Sequence, residues 1–317
     1  MRRLVRSALG HLPSRLRLPL MRFALKGQTV LEHTADMRRS IALSSTPEVG
    51  FGRDLRPHSR DTQLIKDYHR IEKGLAMPAP KRPFGSALEH RIDGLLDPAS
   101  MDDDLVRNVT SARAALSRWN DEGVVDEEIA PLGPELRALD REAVEAFVFS
   151  RHSVRNFDRS RPVPHEILDH AAELAMTSPS VCNRRAGRIH LYCEDELVEH
   201  ILRLQRGNMG FGQTVGQLAV VTVNSTLFAG AGERNQKWID GALVAMSFVW
   251  ALHAHGVGAC MLNWSKSNAM SARLREVADI PVREDIICVI ALGYPAAGYR
   301  VARSPRRPTA ETIRHHD

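Results

Sequence analysis

The chain is poor in aromatic residues, which fill only 5% of its 317 positions. Its core must therefore be built mainly from Leu, Val, Ile and Ala. Cysteine is scarce as well. Cys182, Cys193, Cys260 and Cys288 form no CxxC pair and do not alternate with histidines at metal-ligand spacing. That pattern argues against a disulfide scaffold and against zinc. Three of the four sit in apolar stretches, which reads as buried, reduced thiols in a cytoplasmic protein. No apolar run is long enough to span a membrane; the longest, Gly241–His253, runs into His253-Ala254-His255. No GxGxxG links a strand to a helix, so the dinucleotide-binding fingerprint is missing. No Ser-His-Asp or Cys-His arrangement is evident either.

Acid is missing from one end. Residues 1–31 hold seven basic side chains, Arg2, Arg3, Arg6, Arg15, Arg17, Arg22 and Lys26, and no Asp or Glu. The formal net charge is +5, so the remaining residues carry a net −2. The basic character belongs to an arm and not to the body, which argues against a nucleic-acid-binding stripe. The arm reads as a solvated basic tail or as a helix lying on an anionic membrane surface.

What is present supports a real core: 43% hydrophobic and 26% charged residues. Residues 1–60 are a basic, poorly patterned arm in which 44–50 reads as a linker. Residues 61–140 read as a helical extension. Asp61 caps a helix over 61–75 with Leu64, Ile65, Tyr68, Ile71 and Leu75 at helical spacing. Further helices are expected over about 102–119 and 134–149, with an acidic irregular stretch between them. From 141 to 310 helices alternate with buried strands, and 311–317 form a tail. Helices are expected from Pro164, over 197–204, 237–255 and 270–277, and strands over 187–193, 218–223, 257–262 and 285–292. The helix 237–255 is apolar nearly all round, which makes it central and suits a subunit interface. Strand order does not follow from the pattern.

Four constellations carry chemistry. In Arg151-His152-Ser153-Val154-Arg155, extended backbone turns two guanidiniums and a hydroxyl to one side, which suits a phosphate. Alone, the cluster reads equally as solvated charge. Thr177-Ser178-Pro179-Ser180-Val181-Cys182-Asn183 ends a helix and offers Ser180 and Asn183 as short polar groups for a ring edge, or forms an ordinary capping loop. Gly256-Val257-Gly258 leads a buried helix into a strand that ends at Leu262-Asn263-Trp264, where glycine permits close backbone approach. Arg300, Arg303, Arg306 and Arg307 follow the last strand and its Gly293-Tyr294-Pro295, as a basic tail able to return to an anion.

As an ordered set over about residues 145–307, Arg-x-Ser-x-Arg, Pro-Ser-x-x-Asn, helix-Gly-x-Gly-strand, Gly-Tyr-Pro and a basic tail resemble the FMN-dependent nitroreductase family. Tyr68-His69-Arg70-Ile71-Glu72-Lys73-Gly74-Leu75 also resembles the helical extension of a subgroup often found near surface-polysaccharide genes. The resemblance implies an α+β, three-layer fold with a central mixed sheet flanked by helices, and a homodimer with FMN at the subunit interface. It implies that Arg151, Ser153 and Arg155 hold the phosphate, ribityl chain and pyrimidine edge, and that Ser180 and Asn183 line the isoalloxazine. Backbone at Leu262, Asn263 and Trp264 would lie over the ring near N5, and Arg303 and Arg306 would close on the phosphate. Asp240 matches a frequent acid of the family and receives no catalytic role. Where many relatives continue Gln-Pro-Trp after the asparagine, this chain has Arg184-Arg185-Ala186, either surface residues or a preference for an anionic substrate. The implied activity is hydride transfer from NADH or NADPH through FMN to a small-molecule acceptor, with nitroaromatics or quinones as test acceptors. Alternatives are a specialised flavin dehydrogenase and a low-turnover flavin-binding accessory protein of surface-polysaccharide synthesis. No metal and no nucleic acid enter any of these readings.

Overall fold

Nearly continuous apolar runs, buried on both faces, build the central strands of the molecule. In a computed structural model describing residues 14–45 and 57–316, strands β1 (Gly187–Tyr192), β2 (Gln217–Asn224), β3 (Gly258–Asn263) and β4 (Glu284–Gly293) form one sheet of order β1-β2-β4-β3. All three ladders are antiparallel. A parallel bridge lays Ser153 beside Ala259 on the outer edge of β3, and another pairs Ser45 with Ala229.

Along β2, Leu218 and Val220 point into one core and Ala219 and Val221 into the other. The first core is covered by α7 (Asp195–Gln205) and α9 (Asn268–Val277), through Val198, Ile201, Leu202 and Leu274. The second is covered by α6 (His165–Ala175) and α8 (Gln236–Ala254), through Leu168, Ala171, Phe248 and Leu252. The result is three layers, helices on both faces of the sheet, which is the α+β architecture expected. Gly241 lets α8 press onto the sheet, since a Cβ there would lie 2.5 Å from Ile287.

The extension has its own core. Leu64, Ile71 and Leu75 of α2 (Pro57–Leu75) pack with Ile92 of α3 (Ser86–Leu95) and with Val109, Ala112, Ala115 and Leu116 of α4 (Asp103–Glu122). Asp67, fully buried, is clamped by Arg91 at 2.5 and 2.6 Å. The same α2 packs against the short turn Val181–Asn183 and against Ser225–Leu227, so the extension abuts one of the candidate site loops.

Two local expectations are corrected. The helix expected over 134–149 begins only at Arg141 and runs to Ser150 (α5), because the Asp140 carboxylate accepts the Ala143 N–H at 2.8 Å and caps it there. The thiols divide differently too: Cys260 and Cys288 are buried, Cys182 is half-buried and Cys193 is exposed. The weakly patterned arm contains a 30-residue helix, α1 (Ser14–Leu43). Of the segment 44–50, Ser44 and Ser45 are held by Phe228 and Thr226 carbonyls, while 46–50 lie outside the described residues.

Candidate functional site

Arg151, Ser153 and Arg155 emerge from the end of α5 and run along the edge of β3. The Val154 N–H donates to the Ala259 carbonyl at 3.1 Å, and Val154 is buried. Odd-numbered residues therefore face away from the core, as the spacing predicted. Gly258 makes this approach possible: a Cβ there would stand 2.7 Å from Val154 Cγ2 and 3.2 Å from the Gly293 carbonyl. Among the described residues neither Arg151 nor Arg155 is paired with a carboxylate. The Arg151 guanidinium lies 5.8 Å from the Trp250 ring centroid. Burial pushes the Cys260 thiol up, and the nearby Arg155 charge partly offsets this. Beside Arg151 opens a cleft of about 220 Å³, walled by Arg151, His152, Val154, Gly256, Gly258 and Tyr299 among others, and lined by neither Ser153 nor Arg155. It is smaller than the roughly 300–1,000 Å³ of ordinary small-molecule sites.

Of the other residues in the set, Arg306 stacks on Phe149 at 4.7 Å, two residues before Arg151. Arg303 is exposed in the extended tail nearby in sequence. Leu262 is buried in the core. Trp264 turns its indole N–H to Ser271 at 2.9 Å. Asn263 keeps an exposed side chain while its carbonyl accepts from Gln205 at 3.0 Å.

Ser180 and Asn183 sit elsewhere. Their loop leaves α6 and enters β1 at the opposite edge of the sheet. It is moored by Asp240, 1% exposed, whose carboxylate accepts the Val181 N–H at 3.2 Å and the Gln236 amide at 2.8 Å. Ser180 Oγ accepts the Arg185 N–H at 3.0 Å, and Asn183 Oδ1 accepts from the Arg185 side chain at 3.2 Å. Cys182, Asn183 and Arg185 all take positive φ, near 50°, the left-handed region in which side chains are crowded. Asp240 lies at the start of α8. Near its end, His253 bonds Ser150 and the Phe147 carbonyl next to the arginine cluster. Thirteen helical residues at about 1.5 Å each separate the two loops by on the order of 20 Å. Within one chain the two halves of the expected set do not meet.

Arg184 is neither a surface residue nor an exposed charge. Its side chain is fully buried, 2.7 Å from Glu233, with its Nε–H donating to the Val181 carbonyl at 3.1 Å. Ala186 is fully buried as well. Of the departure from Gln-Pro-Trp, only Arg185 faces solvent. Sequence reading missed Asp240 as the mooring of the loop. A lone Asp in the first turns of an otherwise apolar helix was the available signal.

A search of curated proteins finds no match to this chain. Solved structures similar to it include an FMN-dependent nitroreductase from Clostridium difficile, at 20% identity and TM-score 0.42, covering 50% of this chain and 91% of that one. A nitroreductase family protein from Streptococcus pneumoniae shows 16% identity and TM-score 0.45 over 55% of this chain and all of that one. An NADPH:FMN oxidoreductase from Vibrio harveyi, complexed with NAD+, shows 15% identity and TM-score 0.47 over 54% and 76%. Residues 148–294 match the Nitroreductase family as a whole. That stretch starts just before Arg151 and closes just after β4, so it takes in the sheet, both loops and α8. Over this region, a little under half of its length, the chain is similar to the nitroreductase family.

Proposed function

We propose that the chain is an FMN-dependent NAD(P)H oxidoreductase whose cofactor lies between two copies. The observation that carries the reading is the pair Arg151 and Arg155, two cations with no carboxylate partner among the described residues, flanking Ser153 along the edge of β3. Two guanidiniums and a hydroxyl on one side of an extended strand match the donor set a phosphate monoester needs. Ser180 and Asn183 offer the short polar groups suited to a ring edge, but on the far side of the sheet. A second copy brings them within reach.

The outward faces support this assembly. On α8, Trp238, Ile239 and Leu243 are exposed at 47%, 51% and 40%, and on α5 Phe147 and Phe149 are exposed at 39% and 53%. Exposed apolar side chains of this kind suit an interface. Its pairing about a two-fold axis generates two equivalent sites.

Bound FMN supplies the redox chemistry, taking a hydride from NADH or NADPH and passing it to an acceptor. The protein's part is binding and electrostatics. Arg151 and Ser153 hold the phosphate and ribityl chain, with Arg303 and Arg306 closing from the tail. Arg155 meets the pyrimidine edge, where a cation stabilises negative charge that develops on reduction. Asn263 and the neighbouring backbone flank the ring. Asp240 positions the Ser180–Asn183 loop. No side-chain nucleophile is required.

The test is an absorbance spectrum of the purified protein, with the released ligand identified by mass, followed by NAD(P)H oxidation with menadione or a nitroaromatic as acceptor. Flavin bands, FMN near one per chain and acceptor-dependent turnover are expected. A protein that neither carries nor takes up FMN overturns the reading. Bound FMN that NAD(P)H does not reduce shifts it to a different flavin reaction.

A further inference from the structure

Helix α1 is oriented opposite to an ordinary surface helix. Its half-buried line runs through Gln28, Glu32, Ala35, Arg39 and Leu43, spaced three or four apart. That line is tied to the body by polar contacts. Arg39 donates to Asp285 at 2.6 Å, and the Asn268 amide donates to Glu32 at 3.0 Å and to Asp36 at 2.8 Å. The opposite line is apolar and faces out. Phe23 is 77% exposed, Val30 65%, Met37 55% and Ile41 70%, with Leu20 at its margin. At about 100° per residue these four fall within a narrow stripe centred across the helix from the docked line. Ordinary amphipathic helices bury this stripe.

Charge decides what covers it. Arg22 and Lys26 border the stripe, and both are exposed. Residues 1–31 contain seven basic groups and no acid, while Glu32 and Asp36 are turned to the body. A second copy of the helix laid along this stripe would set two basic helices side by side. An anionic surface would not suffer that repulsion. An apolar stripe that includes Phe23, with Arg22 and Lys26 along one flank, suits a helix lying in a lipid interface. No helix among the described residues is long and apolar enough to cross a membrane, so the contact is peripheral. Met37 and Ile41 also line, with Asp36, Arg234 and Lys237, a cleft of about 940 Å³ between α1 and the start of α8.

We infer that α1 docks the protein on anionic lipid membranes through Phe23, Val30, Met37 and Ile41, with Arg22 and Lys26 at the headgroups. This is independent of the flavin reading.

The experiment is flotation of the full-length protein with vesicles of phosphatidylcholine containing about one-third phosphatidylglycerol, against phosphatidylcholine alone. Binding to the anionic vesicles that weakens with salt is expected. Phe23→Glu with Val30→Glu should lower the bound fraction at least about tenfold, since both side chains must enter the interface. Arg22→Gln with Lys26→Gln should weaken binding about 25-fold, at roughly fivefold per basic group near the surface. Phe23→Trp should bind as the parent does and shift its fluorescence to the blue on adding vesicles. All these positions are exposed, so unchanged thermal melting serves as the folding control. Failure to float with anionic vesicles overturns the inference. So does equal binding by the Phe23→Glu/Val30→Glu variant, or a self-association in solution that this variant abolishes, which would assign the stripe to a second copy.

Discussion

Asp285→Asn tests how the amino-terminal helix is held. The Asp285 side chain is 7% exposed and meets three cations from three elements: Arg39 of α1 at 2.6 Å, Lys237 of α8 at 2.6 Å and Arg275 of α9 at 3.1 Å. Ser225 donates to it at 2.7 Å. Burial pushes this carboxyl up, but Lys237, Arg39 and Ser225 outweigh it and hold the group below the usual carboxylate range. Burial and the neighbouring Arg39 charge pull Arg275 down, against the attraction of Asp285. Removing the anion leaves three partly desolvated cations facing one another. Breaking a buried ionic cluster from one side costs about 3–5 kcal/mol. For a chain of 317 residues, at about 2.1 cal/mol/K of unfolding entropy per residue, that lowers the melting temperature by roughly 4–8 °C.

The pH dependence has a definite sign. A depressed folded-state value means the stabilisation is complete above the ordinary carboxylate range, near pH 3.9, and is lost as pH falls through the depressed value. The two proteins should therefore differ fully at pH 7 and converge in strong acid. Thermal melts by circular dichroism across pH, with limited proteolysis between α1 and α2, provide the assay. A melting temperature at pH 7 within about 1 °C of the parent's would refute the reasoning, because a loss that small corresponds to about 0.7 kcal/mol or less, far below about 3 kcal/mol.

Three further outcomes are expected. Gly258→Ala should weaken FMN binding by tenfold or more with little loss of secondary structure, because the new methyl displaces Val154 and its strand; isothermal titration with FMN checks this. Asp240→Ala should cost about 1–3 kcal/mol by leaving the Val181 N–H unpaired and should also lower flavin affinity, readable as a lower melting temperature together with a weaker FMN titration. Arg184→Ala should destabilise by about 3 kcal/mol or more, since it strands Glu233 beside a cavity, whereas Arg185→Ala should leave the denaturation midpoint unchanged within error; equal effects would contradict the burial difference.

The body of the fold was legible because its segments obey clean periods. Leu218–Val223 and Asp285–Leu292 are apolar runs bounded by turns, and α8 is apolar nearly all round. Their order in the sheet was not legible, since it depends on pairings far apart in sequence. The extent and docking of helix α1 were not legible for a different reason. Its docked line includes Gln28, Glu32 and Arg39, so contact is made by ions and amides and leaves no apolar stripe pointing inward. Arg184 looked like surface charge, and only Glu233, distant in sequence, explains its burial. The candidate site residues came from the family resemblance, and the common facing of Arg151, Ser153 and Arg155 was legible from their spacing. The separation of Ser180 and Asn183 from them was not, because it follows from the length of α8 and the position of Asp240.

The central claim is a flavin site assembled from Arg151 and Arg155 of one copy and Ser180 and Asn183 of another. The most direct measurement is FMN binding by a mixture of two variants, Arg151→Ala/Arg155→Ala and Ser180→Ala/Asn183→Ala, unfolded and refolded together. Each variant alone should bind FMN poorly. In the mixture, hybrid dimers carry one intact site each, and statistical assembly restores about a quarter of parental binding. A mixture that binds no better than its two components would contradict the shared site.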